Sequence, residues 1–141
     1  MLKRLFVLCA LVGLTAVLLA CSEDTPPIPA AVAELCSLES NTWVVVEGYM
    51  NLPSFLTCQE GRCRINFGNE GSGIMAAIRA GEEPRSNMMQ LPPDQYGADD
   101  LQLVLDDGTT ADRQTLVAVT GRVKRPSAND CYLEVSSLQR P

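Results

Sequence analysis

Val119-Thr120-Gly121-Arg122-Val123 and Cys131-Tyr132-Leu133-Glu134-Val135 are the two segments that decide the fold. Apolar and polar residues alternate in both segments, and this period of two is typical of strands with one buried face. Ser127-Ala128-Asn129-Asp130 lies between them and has the composition of a hairpin loop. The two segments therefore predict an antiparallel pair of strands near the end of the chain.

Three earlier segments are predicted as strands from their composition and length. They are Trp43 to Met50, Arg62 to Phe67 and Ile74 to Ala80. The first is rich in β-branched and aromatic residues, and Gly48 within it predicts a bulge or a sharp bend. The second alternates with a period of two, and glycines bracket the third at the length of a strand.

A long connection separates the third predicted strand from the fourth. Glu82 to Asp100 has little periodicity, and we expect one helical turn near Asn87-Met88-Met89. Leu101 to Leu105 is a short apolar strand that ends at the Asp107-Gly108 turn. Five main strands with this insertion predict a mainly β chain that folds as a small five-stranded Greek-key barrel. A small β-sandwich is the alternative arrangement of the same strands.

At these strands the chain resembles OB-fold domains, in particular those of exported bacterial lipoproteins. The glycine of the first strand and the Val119–Val123 strand with its hairpin carry the resemblance, which covers about Trp43 to Gln139. An OB fold implies a barrel that binds ligands across its second and third strands, between the first–second and fourth–fifth loops. A resemblance in fold does not by itself transfer a function.

The N-terminal residues have the pattern of an export signal. Lys3 and Arg4 precede an uncharged segment that is shorter than the ~20 apolar residues of a membrane-spanning helix. Leu18-Leu19-Ala20-Cys21 resembles the lipobox of bacterial lipoproteins, in which the cysteine is lipidated and becomes the new N-terminus. The resemblance implies a signal peptide at 1–20 and acyl chains, such as palmitate, on Cys21. The alternative is an ordinary signal peptide with a coincidental cysteine.

The residues after Cys21 predict a tether and a single domain. Residues 21–29 are polar and contain several prolines, which is typical of an extended linker. The domain is predicted over 30–141, and the helical spacing of Val32, Leu35 and Cys36 predicts a short helix at its start. The lipoprotein resemblance implies lipid anchoring at the periplasmic face of the outer membrane in a diderm cell. In any other cell it implies the outer face of the cell membrane.

Four cysteines remain beyond Cys21, and exported proteins usually pair an even set of cysteines. Cys58 with Cys63 would close a tight turn between two strands. Cys36 with Cys131 would then join the start of the domain to its last strand. Four cysteines allow three pairings, so the other two stay open at this point. A zinc site is the alternative use, but the chain lacks two close Cys-x-x-Cys pairs.

The composition argues against several classes of function. The chain has 17 acidic residues, 11 basic residues and no histidine, with a net charge of −6. An acidic protein is not steered toward nucleic acid, and few aromatic residues are present to stack on bases. The absence of histidine excludes Ser-His-Asp and Cys-His catalysis and imidazole-ligated metal sites. We therefore expect no catalysis and no cofactor; a glycosidase, which needs only two carboxylates, is the enzymatic alternative.

No metal site is predicted either. Met88 and Met89 are adjacent thioethers of the kind that bind copper, but methionines more often fill gaps in cores and loops. Four carboxylates, of the kind that bind calcium, lack the spaced pattern of a known calcium loop. They are Asp99, Asp100, Asp106 and Asp107.

Six basic residues are predicted to lie near the ligand-binding face that an OB barrel implies. Arg62, Arg64 and Arg79 lie on or beside the second and third strands, and Arg122, Lys124 and Arg125 begin the fourth–fifth loop. Arginine binds carboxylates and phosphates through two parallel hydrogen bonds, whereas the alternative is a solvated face whose charges discourage edge pairing. We predict a module that binds an envelope protein or an acidic ligand. An oligosaccharide or small anion on the basic face is the alternative.

Overall fold

The structure is a computed structural model, and it describes residues 25–141. The predicted signal peptide, the lipidation of Cys21 and the first residues of the tether lie outside the described residues. Within residues 25–141, no helix is both long enough and apolar enough to cross a membrane.

Ten strands and two 3-10 helices make up this part of the chain. The strands are β1 (Ile28–Pro29), β2 (Trp43–Asn51), β3 (Thr57–Gln59), β4 (Arg62–Asn69), β5 (Ser72–Gly81), β6 (Met88–Gln90), β7 (Leu103–Val104), β8 (Thr110–Ala111), β9 (Val117–Ser127) and β10 (Asp130–Gln139). The 3-10 helices are Val32–Ser37 and Ala98–Asp100.

Five of the strands close into a ring. Antiparallel pairs join β2 to β4, β4 to β5, β10 to β9 and β9 back to β2. The remaining contact, between β5 and β10, is parallel. The predicted small OB-like barrel is thus confirmed, and a closed ring excludes the two separate sheets of a sandwich.

Gly48 and Gly121 stand where the neighbouring strand of the ring leaves no room for a side chain. A Cβ atom on Gly48 would lie 2.8 Å from the Phe67 ring and 2.9 Å from the carbonyl oxygen of Gly68. A Cβ atom on Gly121 would overlap the carbonyl oxygen of Glu134. Gly48 is also the last residue of β2 that pairs with β9, and the following residues pair with β4. The bend predicted at this glycine is therefore where β2 passes from one neighbour to the other.

The first 3-10 helix closes the barrel at the start of β10. Val32 and Leu35 are buried in the same apolar cluster as the inward side chains of the ring. Just before this helix, β1 pairs in parallel with Val44 and Val45 of β2. The last residues of the predicted tether therefore lie on the barrel, because their backbone pairs with β2. The predicted N-terminal helix is a 3-10 helix of six residues.

The insertion, residues 82–116, closes the opposite end, beside the end of β10. The apolar cluster includes Met89 and three leucines of the insertion, Leu101, Leu103 and Leu105. The helical turn predicted near Asn87-Met88-Met89 is wrong. Asn87 has a positive φ of 64°, and the next residues form β6, which pairs in parallel with the end of β5. This extended backbone allows Met89 to enter the core while Met88 stays half-buried.

Two disulfides link the described cysteines in the pairs that the sequence favoured. Cys36–Cys131 joins the first 3-10 helix to β10, with a sequence separation of 95. Cys58–Cys63 joins β3 to β4, with a separation of 5. Because all four thiols are oxidised in pairs, they are not the thiolate ligands that a zinc site would need. Disulfides of this kind are typical of proteins in oxidising compartments.

Candidate functional site: an arginine-lined cleft

A cleft of about 200 Å³ opens on the outer face of the barrel, where β3, β4, β5 and β10 meet. It is lined by Thr57, Gln59, Glu60, Arg62, Arg64, Ala77, Tyr132 and Glu134. Strand alternation places Arg62 and Arg64 outside because Cys63 between them points into the core. Ala77 has only a methyl side chain, so the surface is recessed between the longer side chains around it.

The side chain of Arg62 extends over β5 to β10 and contacts backbone carbonyl oxygens, which carry no net charge. Its Nη1 donates to the carbonyl oxygen of Val135 at 3.2 Å and lies 3.5 Å from the carbonyl oxygen of Ala77. Among residues 25–141, no carboxylate oxygen lies within 4.0 Å of its guanidinium group. The backbone thus orients the side chain of Arg62 without neutralising its charge.

Arg79 stands directly opposite Arg62 in the antiparallel register of β4 and β5. Arg79 is exposed, and within the described chain it too has no carboxylate within 4.0 Å. Like charges at directly opposite positions destabilise a strand pair. Arg79 does not line the cleft itself, but its register places it beside Arg62 at the edge of the cleft. Glu60 and Glu134 line the cleft, and neither lies within 4.0 Å of either of these guanidinium groups.

Arg64 is held by an aromatic ring and by one carboxylate. Its guanidinium carbon lies 4.0 Å from the centre of the Tyr132 ring, which is cation–π geometry. Its Nη1 lies 3.5 Å from Asp130 Oδ1, and both side chains are about 40% exposed. An ion pair so exposed contributes little stability, so an incoming anion can compete with Asp130 for the arginine.

The other three predicted basic residues lie elsewhere. Arg122, Lys124 and Arg125 belong to β9, so the prediction that they begin the fourth–fifth loop is wrong. The loop starts later because β9 pairs with β10 as far as Ser127 opposite Asp130.

These residues of β9 hold the chain segment that leads into β2. Arg122 Nη1 donates to the carbonyl oxygen of Asn41 at 3.0 Å, and Lys124 Nζ donates to Asn41 Oδ1 at 2.7 Å. Arg125 Nη1 lies 3.4 Å from the carbonyl oxygen of Leu38. The contacts assign a structural role to this group, and none of its three residues lines the cleft.

Strand β10 lies between the two basic groups. Glu134 is opposite Ala77 on one side and opposite Arg122 on the other, and its Oε1 lies 3.9 Å from Lys124 Nζ. Trp43 lies on the outer face, with its ring 5.0 Å from the guanidinium carbon of Arg122. Of the six predicted basic residues, the structure therefore brings Arg62, Arg64 and Arg79 together.

Tyr132 and Glu134 line the cleft but were not among the predicted site residues. A signal for them was present, because Leu133 and Val135 were predicted to face inward and the residues between them must then face outward. The sequence did not show that β10 pairs with β5. This pairing places the outward side chains of β10 next to Arg64.

Comparisons with known proteins support the fold alone. No family model matches the chain, and no curated protein matches it. Among solved structures, the hypothetical protein YgiW from E. coli is similar with a TM-score of 0.51 and 15% identity, over 81% of this chain and 90% of YgiW. A protein assigned as an aspartyl-tRNA synthetase from Leishmania major Friedlin matches at a TM-score of 0.46 and 13% identity. This chain spans 84% of its own length there but only 21% of the synthetase chain.

The similarity to YgiW agrees with the ring topology described above. Both lines of evidence place the chain among proteins with an OB-like β-barrel. At 15% identity, the shared fold indicates nothing about a ligand.

Proposed function

We propose that this chain is a lipid-anchored protein of the cell envelope whose barrel binds an acidic ligand through Arg62, Arg64 and Arg79, without catalysis. The observation that carries the proposal is the Arg62–Arg79 pair, whose repulsion is not offset by a carboxylate within 4.0 Å in residues 25–141. A bound carboxylate or phosphate would remove that repulsion and accept charge-assisted hydrogen bonds from either guanidinium group.

The size of the cleft narrows the class of ligand. Its volume of about 200 Å³ lies below the roughly 300–1,000 Å³ of pockets that enclose a small molecule. The cleft therefore suits one anionic group of a larger partner, with the rest of that partner on the surrounding surface. An acidic segment of another envelope protein is such a partner, and Tyr132 offers it an apolar wall.

The binding proposal is tested with the purified full-length protein and a glutamate-rich peptide, by isothermal titration calorimetry. We expect the Arg62→Gln/Arg79→Gln double variant to bind the peptide at least tenfold more weakly. The matched control is Arg85→Gln/Arg140→Gln, which removes the same charge from residues outside the cleft and should bind like the native protein.

Two results would count against this function. Equal peptide affinity of the native protein and the Arg62→Gln/Arg79→Gln variant would reject the cleft as the binding site. If the native protein binds inorganic phosphate as tightly as the peptide, the ligand is a small anion, which is the alternative function of this face.

The proposed location rests on the lipobox resemblance and on the two disulfides, which suit an oxidising compartment. One acyl chain binds a membrane only marginally, so stable anchoring needs more than one chain on Cys21. We expect Cys21→Ala to release the protein into the soluble envelope fraction and to abolish labelling with radioactive palmitate. Palmitate label that persists in this variant would refute the anchor without affecting the proposed binding site.

A further inference from the structure

A second depression lies on the same outer face, at the far end of β4 and β5 from the arginine cleft. Its volume is about 520 Å³. It is lined by Tyr49, Asn51, Asn66, Phe67, Gly68, Asn69, Glu70, Gly73, Arg113 and Gln114. We call it the Tyr49 groove. The groove shares no lining residue with the arginine cleft.

Tyr49 gives the groove an exposed aromatic surface. The residue is 39% exposed on a barrel strand whose inward side chains are buried, and among the described aromatic residues Phe55, in the loop after β2, is more exposed at 89%. In the strand register it is opposite Gly68, and Gly68 is opposite Gly73. The two positions next to the aromatic ring of Tyr49, Gly68 and Gly73, therefore have no side chain. The surface is recessed there and can admit a ligand.

Gly73 shows that the depression is open rather than filled by the backbone. A Cβ atom built on Gly73 would have only one neighbour within 4 Å, the carbonyl oxygen of Phe67 at 3.8 Å. A larger side chain at this position would therefore extend into the groove without a backbone clash. Gly68 differs, because its Cβ would overlap the backbone of Ser72.

Four side-chain amides belong to residues that line the groove together with the aromatic ring of Tyr49. They belong to Asn51, Asn66, Asn69 and Gln114. None of these amides forms a hydrogen bond to another described residue, so each offers two donors and one acceptor to a ligand. Amides with this donor–acceptor pattern suit ligands that are rich in hydroxyl groups.

The charged residues of the groove do not favour an ionic ligand. The groove is lined by one arginine, and Arg113 Nε donates to Asp99 Oδ1 at 2.6 Å, a closer contact than the 3.5 Å between Arg64 and Asp130. The arginine of the groove therefore has a carboxylate partner, unlike Arg62 of the cleft, and Glu70 adds a further negative charge. The groove therefore differs in ligand class from the arginine cleft.

We propose that the Tyr49 groove binds a neutral saccharide. The ring carries partial negative charge on its face and attracts the C–H groups of a sugar, while the four amides pair with sugar hydroxyls. A volume of about 520 Å³ lies in the range of small-molecule pockets. The inference goes beyond the proposed function and does not depend on it, because it uses different residues and a ligand without charge.

The test uses the purified full-length protein in a sugar-free detergent, with chitotriose and maltotriose as neutral probes. We expect saturation-transfer NMR to detect binding of at least one probe, and titration to show at least a tenfold loss of affinity in Tyr49→Ala. Tyr49→Phe keeps the ring and should stay within about threefold of the native affinity. Gly73→Val should block the groove and abolish binding, and because it introduces no backbone clash the protein should remain folded by circular dichroism.

Arg62→Gln is the variant that separates the two sites. It should leave affinity for the neutral probe unchanged while it weakens binding of the acidic peptide. The saccharide inference is overturned if neither probe binds at millimolar concentration, or if folded Gly73→Val and Tyr49→Ala bind the probe as the native protein does. A loss of probe binding in Arg62→Gln, with Tyr49→Ala unaffected, would move the sugar to the arginine cleft and likewise overturn it.

Discussion

The ring and the insertion bury side chains in one core, yet they are held in place by different interactions. Each ring strand has 8 to 11 residues and pairs with a neighbour on both sides. The strands of the insertion have only two or three residues. Backbone pairing therefore determines the shape of the ring, whereas buried side chains position the insertion.

A few individual hydrogen bonds complete the attachment of the insertion. Asn87 Oδ1 accepts from the backbone N–H of Leu138 at 2.8 Å, and the N–H of Asp106 donates to the carbonyl oxygen of Leu138 at 2.8 Å. The hydroxyl of Tyr96 donates to the carbonyl oxygen of Pro53 at 2.7 Å. The difference teaches that a segment can contribute buried side chains to a barrel core although it pairs with the ring over only two residues, where Met89 and Gln90 of β6 meet the end of β5.

The largest expected effect on stability comes from removal of the Cys36–Cys131 disulfide, because the chain between these two cysteines includes the insertion and most of the ring. Cys36→Ala/Cys131→Ala opens a loop with a separation of 95 residues, which includes the insertion. We expect the free energy of unfolding to fall by about 4–5 kcal/mol in urea titrations, since a cross-link of this length greatly limits the unfolded chain. Cys58→Ala/Cys63→Ala, with a separation of 5, is the control and should cost about 2 kcal/mol. Equal losses would contradict the expectation.

The next prediction tests whether the insertion unfolds together with the ring. Leu103 is fully buried although it lies in a strand of two residues. Leu103→Ala should lower the free energy of unfolding by about 3 kcal/mol, as for a buried leucine elsewhere in a core. Leu133→Ala in the ring is the matched variant and should lose a similar amount. A separate early transition in Leu103→Ala would show instead that the insertion unfolds by itself.

A smaller effect is expected at the close approach of β9 to β10. Gly121→Ala places a methyl group against the carbonyl oxygen of Glu134, so the strands must separate locally. We expect a loss of about 2 kcal/mol in thermal or urea unfolding. Gly73→Ala adds the same methyl group where the nearest atom is 3.8 Å away, and it should leave stability unchanged or slightly higher. A larger loss at Gly73 than at Gly121 would argue against the ring closure described here.

The smallest effect concerns an acidic turn at the end of the insertion. Hydrogen bonds from the Thr115 hydroxyl and then from the Gln114 backbone lower the pKa of Asp112 below its ordinary value of 3.8. A lowered pKa means that Asp112 contributes stability above pH 3.8, and that this contribution is lost as the pH falls through the folded pKa. Carboxyl carbon NMR should therefore show Asp112 titrating below 3.8, and Thr115→Val should return its pKa toward that value. An unchanged titration in Thr115→Val would exclude the hydroxyl as the cause.

The ring was predictable because each of its strands carries a local signal: a period of two in β4, β9 and β10, β-branched composition in β2, and bracketing glycines in β5. The alternation from Arg62 to Phe67 and from Val117 to Val123 assigns one face to the core without any knowledge of neighbours. The insertion was predictable only in part: the predicted strand from Leu101 to Leu105 contains β7, but strands of two or three residues are too short to show a period. Asn87-Met88-Met89 illustrates this, since its backbone follows from burial of Met89 beside β5 and not from a local pattern.

The site was predictable only in part, for a related reason. Alternation identifies Arg62 and Arg64 as outward residues of one strand, and the register brings Arg79 opposite Arg62. The neighbours of these arginines depend on β10 pairing in parallel with β5, a contact between distant parts of the chain. The same long-range order placed Tyr132 beside Arg64 and separated the basic residues of β9 from the cleft.

The attachment of the N-terminal segment determines how the barrel responds to force. Tension applied to the chain before residue 25 first meets the parallel pairing of β1 with β2, which can shear away. The covalent bond from Cys36 to Cys131 then transfers the load directly to β10, inside the closed ring. Pulling can thus release residues 28–36, which span at most about 30 Å at ~3.5 Å per residue, and this release also withdraws Val32 and Leu35 from the core before the closed ring is loaded.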